Sequence, residues 1–199
     1  MNDAQAVLDF WFGELDAEGH ADAAHKKRWW MKDPEFDEEI RTRFLALYER
    51  IVAGEHENWR DTARGALAYI IVLDQFSRNM FRDTGRMYAA DDRAVAATKD
   101  AVERGLDREL GPAERTFLYM PLMHSEKLGD QEDCVQLFER LVAELEGAAA
   151  EAVAQNVDYA KRHRDIVARF SRFPHRNHLV DRPTTDEEAE FLKQPGSSF

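Results

Sequence analysis

The chain has 199 residues, a length typical of one domain, so we expect residues 1–199 to form a single folded unit. Its 27 Lys and Arg against 39 Asp and Glu give a net charge of −12, which argues against binding to nucleic acid or anionic membranes because both would be repelled. A hydrophobic content of 44% excludes wholesale disorder. The apolar runs are too short for a membrane span, a signal sequence is absent, and Cys134 is the single cysteine, so we expect a cytoplasmic protein without a membrane span.

Helices are predicted along most of the chain, because apolar residues recur every three or four positions while glycine and proline are scarce. Asp33 and Pro34, for example, supply the cap and first turn of one helix, and Thr185 begins a capping box at another. We place the helices at residues 3–12, 21–31, 35–53, 62–81, 89–104, 113–128, 131–146, 149–170 and 185–193. The apolar–polar alternation of strands is missing, so the sequence predicts an all-α fold of about nine helices and no sheet.

The connections between these helices indicate how they pack. Gly129 and Asp130 join two helices tightly, and helices joined in this way lie antiparallel beside each other. A fixed repeat of roughly 34 residues is missing, so stacked helical hairpins are an interpretation of the connections alone. The longest non-helical segment, residues 171–183, contains two prolines, and loops of this length in a compact domain are often functional.

Three segments carry more polar chemistry than a helical scaffold needs, and the first is residues 73–82. Asp74 follows an apolar run and is expected to be buried, where it would pair with Arg78 one turn later. In the structural interpretation the charges of these two side chains neutralise each other, and neither side chain binds a ligand. In the functional interpretation, Arg78, Asn79 and Arg82 present forked donors that hold a carboxylate or a phosphate.

The second segment is residues 119–126. Pro121 removes a backbone donor inside a predicted helix, so we expect a kink that redirects His124 and Glu126. His124 is then either a hydrogen-bonded core residue or a group that transfers protons during a reaction.

The third segment, residues 161–182, contains seven Lys or Arg and two Asp, which gives it a net charge of +5 in a chain whose remainder carries −17. A basic region in an acidic field attracts small anions. Because like charges repel at close range, we expect core carboxylates or a bound anion to balance Arg172 and Arg176. His163 lies on an apolar helix face and is expected to be a hydrogen-bonded core residue.

The sequence contains no recognisable cofactor or metal motif. The glycine patterns that bind nucleotide phosphates and dinucleotides are absent, and one cysteine with histidines set among arginines does not suit zinc. We therefore predict no metal and no cofactor.

Five stretches of the sequence carry a resemblance to a known family. They are Leu-Asp-Phe-Trp-Phe-Gly at 8–13, Leu-Asp-Gln-Phe-Ser-Arg-Asn-Met-Phe-Arg at 73–82, Tyr-Met-Pro-Leu-Met-His-Ser-Glu at 119–126, Arg-Phe-Pro-His-Arg-Asn at 172–177 and Phe-Leu-x-x-Pro-Gly-Ser-Ser-Phe at 191–199. With these stretches the chain resembles the uncharacterised, largely bacterial family named domain of unknown function 924. The resemblance implies antiparallel helical hairpins stacked in a tetratricopeptide-like array, and it implies no activity.

Two functions are consistent with these features, and a structural scaffold that binds no ligand is a third alternative. The first is a helical binding module whose Arg- and His-rich pocket captures an acidic peptide or a small anionic ligand, as helical-repeat folds commonly do. The second is a small hydrolase or transferase in which the same residues bind a phosphate or carboxylate substrate and His124 or His175 is catalytic. The ligand-binding candidates for both functions are Asp74, Arg78, Asn79, Arg82, His124, Arg172, His175 and Arg176. Neither function involves nucleic acid or a membrane, and fold analogy favours the first.

Two further expectations concern the ends of the chain. The N-terminal aromatic residues 10–12, together with Trp29 and Trp30, carry too much apolar area to leave in water, so we expect residues 1–31 to pack onto the helix predicted at 62–81. Phe199 is expected to dock on the domain.

Overall fold

Ten α-helices and no strand are present in residues 3–17 and 19–198, the part of the chain that the computed structural model describes. The helices are α1 (Asp3–Phe12), α2 (Ala23–Trp30), α3 (Pro34–Val52), α4 (Ala63–Ile71), α5 (Ser77–Met80), α6 (Asp91–Glu103), α7 (Pro112–His124), α8 (Leu128–Ala143), α9 (Gly147–Phe170) and α10 (Asp186–Phe191). A π-helical turn, Val72–Phe76, joins α4 directly to α5, and short 3₁₀ helices span Glu57–Asp61, Gly85–Tyr88, Leu106–Glu109 and Pro174–Leu179. The predicted all-α class is confirmed.

The starts of the helices follow local signals in the sequence. The Asp33 carboxylate accepts hydrogen bonds from two backbone amides of the first turn of α3. Thr185 and Glu188 form the expected capping box at the start of α10. These contacts satisfy amide groups that would otherwise lack partners at a helix start, which is why the sequence alone locates them.

The ends of two helices depart from the prediction. α7 continues through Pro121 and ends at His124, before the predicted residue 128, because Ser125 adopts an extended backbone with ψ of 143°. α9 ends where Ser171 takes a left-handed conformation with φ of 56°. The segment that follows, predicted as non-helical, forms the 3₁₀ helix Pro174–Leu179, which contacts the end of α7.

The hydrophobic core surrounds α4 and the π turn. Every residue of the run 66–73 is at most 1% exposed. α1 packs on α4, and the Trp11 ring meets Phe76 and Phe117 edge to face, with 5.7 and 5.4 Å between ring centroids. Trp30 differs from the expectation and stays 62% exposed, because α2 is a surface helix without a fully buried side chain.

The C-terminal helices bring the basic segment against this core. α8 packs against both α7 and α9, and a smaller apolar cluster of Ile166, Val167 and Phe173 holds the residues that follow α9 to its last turns. Sequential packing of α6 to α9 agrees with helical hairpins, while the tetratricopeptide-like arrangement stays a prediction. No described helix is both long and apolar enough to cross a membrane. Phe199, which we expected to dock, lies outside the described residues.

Candidate functional site

The candidate site lies where the ends of several elements meet. The π turn contributes Asp74, α5 contributes Arg78, the start of α6 contributes Asp91, the end of α7 contributes His124, and the last 3₁₀ helix contributes Arg176. We call these five residues the Arg176 cluster. Their side chains are between 1% and 18% exposed, so the cluster lies below the surface.

Asp74 is the most deeply buried acid of the cluster. Its carboxylate forms an ion pair with Arg78 Nη1 at 2.9 Å and accepts hydrogen bonds from His124 Nδ1 at 2.8 Å and Gln75 Nε2 at 2.6 Å. Burial alone would raise the pKa of Asp74, but Arg78 and His124 hold this pKa well below its usual value. Asp74 is therefore ionised, and it forms the expected pair with Arg78. Its position on a π turn is typical of functional residues.

Arg78 is compensated by carboxylates on two sides. Its Nη1 and Nη2 atoms each donate to one oxygen of Asp91 at 3.0 Å, and Nη1 also donates to the Asp74 carbonyl at 2.9 Å. Burial alone would lower the pKa of Arg78, but Asp74 and Asp91 raise it. The charge of Arg78 is therefore neutralised within the protein.

Arg176 is buried to a similar degree and has weaker partners. Its Nη1 lies 3.4 Å from Asp91, its Nη2 donates to the last carbonyl of α7 at 2.9 Å, and its Nε has no hydrogen-bond partner among the described residues. The guanidinium lies between the rings of Tyr88 and Phe173, at 4.4 and 4.5 Å from their centroids. Burial, and then the neighbouring Arg78, lower the pKa of Arg176. The surroundings of Arg176 therefore compensate its charge incompletely.

His124 presents two nitrogen atoms with different surroundings. Its Nδ1 lies 2.8 Å from the Asp74 carboxylate, while its Nε2 has no hydrogen-bond partner within the described chain. Burial, and then Arg78, lower the pKa of His124, so the imidazole is neutral at pH 7. A neutral imidazole beside an ionised carboxylate carries its proton on Nδ1, which leaves the Nε2 lone pair free to accept a proton.

Three of the predicted site residues are bound elsewhere. Arg82 donates from Nε and Nη2 to Asp37 of α3 at 2.6 and 2.7 Å, and Asn79 donates to the same carboxylate at 2.7 Å. Arg172 donates to both oxygens of Glu188 on α10 at 2.6 and 2.8 Å. The structure therefore does not bring Asn79, Arg82 or Arg172 to the Arg176 cluster.

Two further histidines border the cluster. The His175 ring lies 5.6 Å from that of Phe173, and burial lowers the pKa of His175 to about 4. The His163 ring lies 6.5 Å from that of His124, and its Nδ1 lies 2.8 Å from the Tyr159 carbonyl. Burial lowers the pKa of His163 to about 3. Both imidazoles are neutral at pH 7, and His163 is the hydrogen-bonded core residue that the sequence predicted.

Asp91 and Tyr88 shape the site although the sequence gives no signal for either, and Glu126 has a partner that the sequence did not predict. Asp91 begins α6, where acidic residues are common because they interact favourably with the helix dipole, so its position gave no functional signal. Tyr88 stacks on Arg176 from a 3₁₀ helix that was not predicted. Glu126 binds Arg182 through both oxygens at 2.5 and 2.8 Å. Carboxylates thus balance several cations of the basic segment, which is one of the two outcomes expected from its charge.

Two other features complete the description of possible sites. Within the described ranges, no group of three or more metal-ligating side chains lies together. A surface groove of about 310 Å³ lies between α1, α2 and α3, with Phe10, Arg28 and Arg43 in its walls. The groove shares no residue with the Arg176 cluster, and its arginines lie on exposed helix positions.

Comparison with known proteins gives a family and a fold. The model of the family described as "Bacterial protein of unknown function (DUF924)" matches residues 7–196. Among solved structures, the protein of unknown function ATU0120 from Agrobacterium tumefaciens is similar, with a TM-score of 0.80 and 34% sequence identity over 96% of each chain. No curated protein is similar enough to be matched. The relatives therefore supply no activity, and a function has to be argued from the site.

Proposed function

The chain belongs to the bacterial family of unknown function DUF924, and we propose that it binds a small oxyanion, a phosphate or a carboxylate, at the Arg176 cluster. One observation carries this proposal: Arg176 buries a guanidinium whose carboxylate contact is 3.4 Å long and whose Nε donor has no partner among the described residues. Burying an incompletely paired charge is unfavourable, and an oxyanion would supply the missing acceptor for the Nε donor and a closer negative partner than Asp91.

Arg182 shows that a buried Nε without a partner is not by itself a sign of a ligand. The Nε of Arg182 is also buried without a partner in the described structure, but Arg182 binds both oxygens of Glu126 at 2.5 and 2.8 Å. The charge of Arg182 is therefore compensated inside the protein. Arg176 has the same orphan donor and, among the described residues, only a single carboxylate contact, at 3.4 Å from Asp91, and this difference favours a ligand at Arg176.

The shape of the site favours a small ion over an acidic peptide. The Arg176 side chain is 9% exposed, and its plane is fixed between Tyr88 and Phe173. An acidic peptide would need a row of exposed cations, but Arg82 and Arg172 are already bound to Asp37 and Glu188. A single phosphate or carboxylate group matches one recessed guanidinium better than an extended chain does.

Thermal unfolding in a series of anions tests the proposal. Phosphate or citrate should stabilise the protein relative to chloride at matched ionic strength, by about 2.7 kcal/mol at a concentration near 100 times the dissociation constant. Arg176→Gln should abolish this stabilisation. Arg169→Gln is the matched control, because Arg169 forms an exposed ion pair with Glu187, and this variant should keep the full response. An equal effect of all anions, or an unchanged response in Arg176→Gln, would refute the proposal.

A further inference from the structure

The oxyanion site contains a base as well as a cation. His124 is held through Nδ1 by Asp74 at 2.8 Å, and its side chain keeps 18% of its surface exposed. The Nε2 atom accepts no hydrogen bond and donates none within the described residues. An imidazole fixed in this way by a buried carboxylate is the arrangement that enzymes use for general-base catalysis.

The contacts of Asp74 keep the Asp74–His124 pair in a fixed position. Asp74 lies on the π turn with its carboxylate also bound by Arg78 and Gln75, so it can neither turn away nor take up a proton easily. The lowered pKa of His124 keeps the ring neutral at pH 7, which is the form that accepts a proton. Behind the ring, His163 is neutral as well and does not compete for that proton.

The cation and the base meet at the end of α7. Arg176 Nη2 donates to the backbone carbonyl of His124 at 2.9 Å, so the guanidinium lies beside the residue that carries the imidazole. An oxyanion bound by Arg176 would therefore lie near His124. A carboxylate is inert to hydrolysis, whereas the phosphorus atom of a phosphate monoester is open to attack by water.

We infer that the Arg176 cluster hydrolyses a phosphate monoester with His124 as the general base, an inference that rests on the proposed oxyanion site. His124 Nε2 takes a proton from a water molecule, and the water oxygen forms a bond to phosphorus. The P–O bond to the alcohol breaks on the opposite side of phosphorus, the departing alkoxide takes a proton from water, and the imidazolium returns its proton to solvent. The products are inorganic phosphate and the free alcohol. Asp74 stays ionised and stabilises the imidazolium, while Arg176 offsets charge on the phosphoryl oxygens.

Turnover of p-nitrophenyl phosphate by the full-length protein tests this inference. Release of nitrophenolate should fall about 10²- to 10⁴-fold in His124→Asn, the usual contribution of a general base. Asparagine keeps an N–H donor for Asp74, so the fold and phosphate binding should survive, and His124→Gln provides a second variant with the same expectation. His25→Asn is the matched control, because His25 Nδ1 lies 2.8 Å from Asp22 on the exposed helix α2, and it should keep full activity.

Each outcome of this experiment decides between the two proposals. Phosphate binding with equal nitrophenolate release from the unmodified protein, His124→Asn and His124→Gln would overturn the catalytic role and leave the oxyanion site standing. Loss of activity in both His124 variants, with phosphate binding measured by calorimetry unchanged, would support the inference. Absence of phosphate binding to the unmodified protein would overturn the catalytic role, and absence of both phosphate and citrate binding would overturn both proposals.

Discussion

Mild acid should destabilise this protein through histidines that are buried in their neutral form. Burial lowers the pKa of His163 to about 3 and that of His175 to about 4, while a histidine in the unfolded chain has a pKa of about 6.5. Between these values the unfolded state binds more protons than the folded state. The stability that both groups contribute is therefore complete above pH 6.5 and is lost as the pH falls toward their folded values.

The magnitude follows from the number of protons taken up. Between pH 6 and pH 5 each of the two histidines should cost about 1 kcal/mol of the free energy of unfolding, or about 2 kcal/mol together. For a chain of this length that loss corresponds to a fall in melting temperature of about 4–8 °C. Carboxylates add little in this window, because an unfolded Asp or Glu titrates near pH 4.

Urea unfolding at pH 6 and pH 5 measures this loss. His163→Asn keeps a side-chain N–H donor for the Tyr159 carbonyl but cannot titrate, so the loss should shrink by about 1 kcal/mol in this variant. His178→Asn changes an exposed side chain and should leave the full loss in place. Equal stability at the two pH values, or an unchanged loss in His163→Asn, would show that these histidines are not held neutral by burial.

Two further predictions test the packing that positions the site. Phe173→Ala should lower the free energy of unfolding by about 3–5 kcal/mol, because Phe173 is fully buried, and Phe173→Leu should recover most of this loss in urea titrations. Gly65→Ala should also destabilise the protein, by about 1–3 kcal/mol or more, because an added Cβ would lie 2.1 Å from the Trp59 carbonyl oxygen. Gly129→Ala is its matched control inside α8, where nothing lies within 4 Å of an added Cβ, and there alanine should be neutral or stabilise by up to about 1 kcal/mol.

The helices could be predicted because their signals are local. Asp33 before Pro34 and the Thr185 capping box act within one turn of chain, and the structure places both at helix starts. The core role of His163 was equally local, since its partner is the Tyr159 carbonyl one turn earlier. In each case the residues that interact are neighbours in the sequence.

The site could be predicted only in part, because its decisive contacts join distant segments. The sequence shows an excess of positive charge in residues 161–182 but not which carboxylates meet it. Arg82 finds Asp37 across 45 residues and Arg172 finds Glu188 across 16, so both leave the predicted anion site. Arg176 differs from them only through tertiary contacts. No sequence pattern distinguishes an arginine with a full ion pair from one without it.

A crystal structure determined with selenate would show whether Arg176 holds an oxyanion. Selenate is a tetrahedral dianion like phosphate, and its selenium atom is located independently by anomalous scattering. We expect an anomalous peak beside His124, with a selenate oxygen within about 3.2 Å of Arg176 Nε. A structure that holds selenate elsewhere, or that shows Arg176 without an ion at saturating selenate, would contradict the claim.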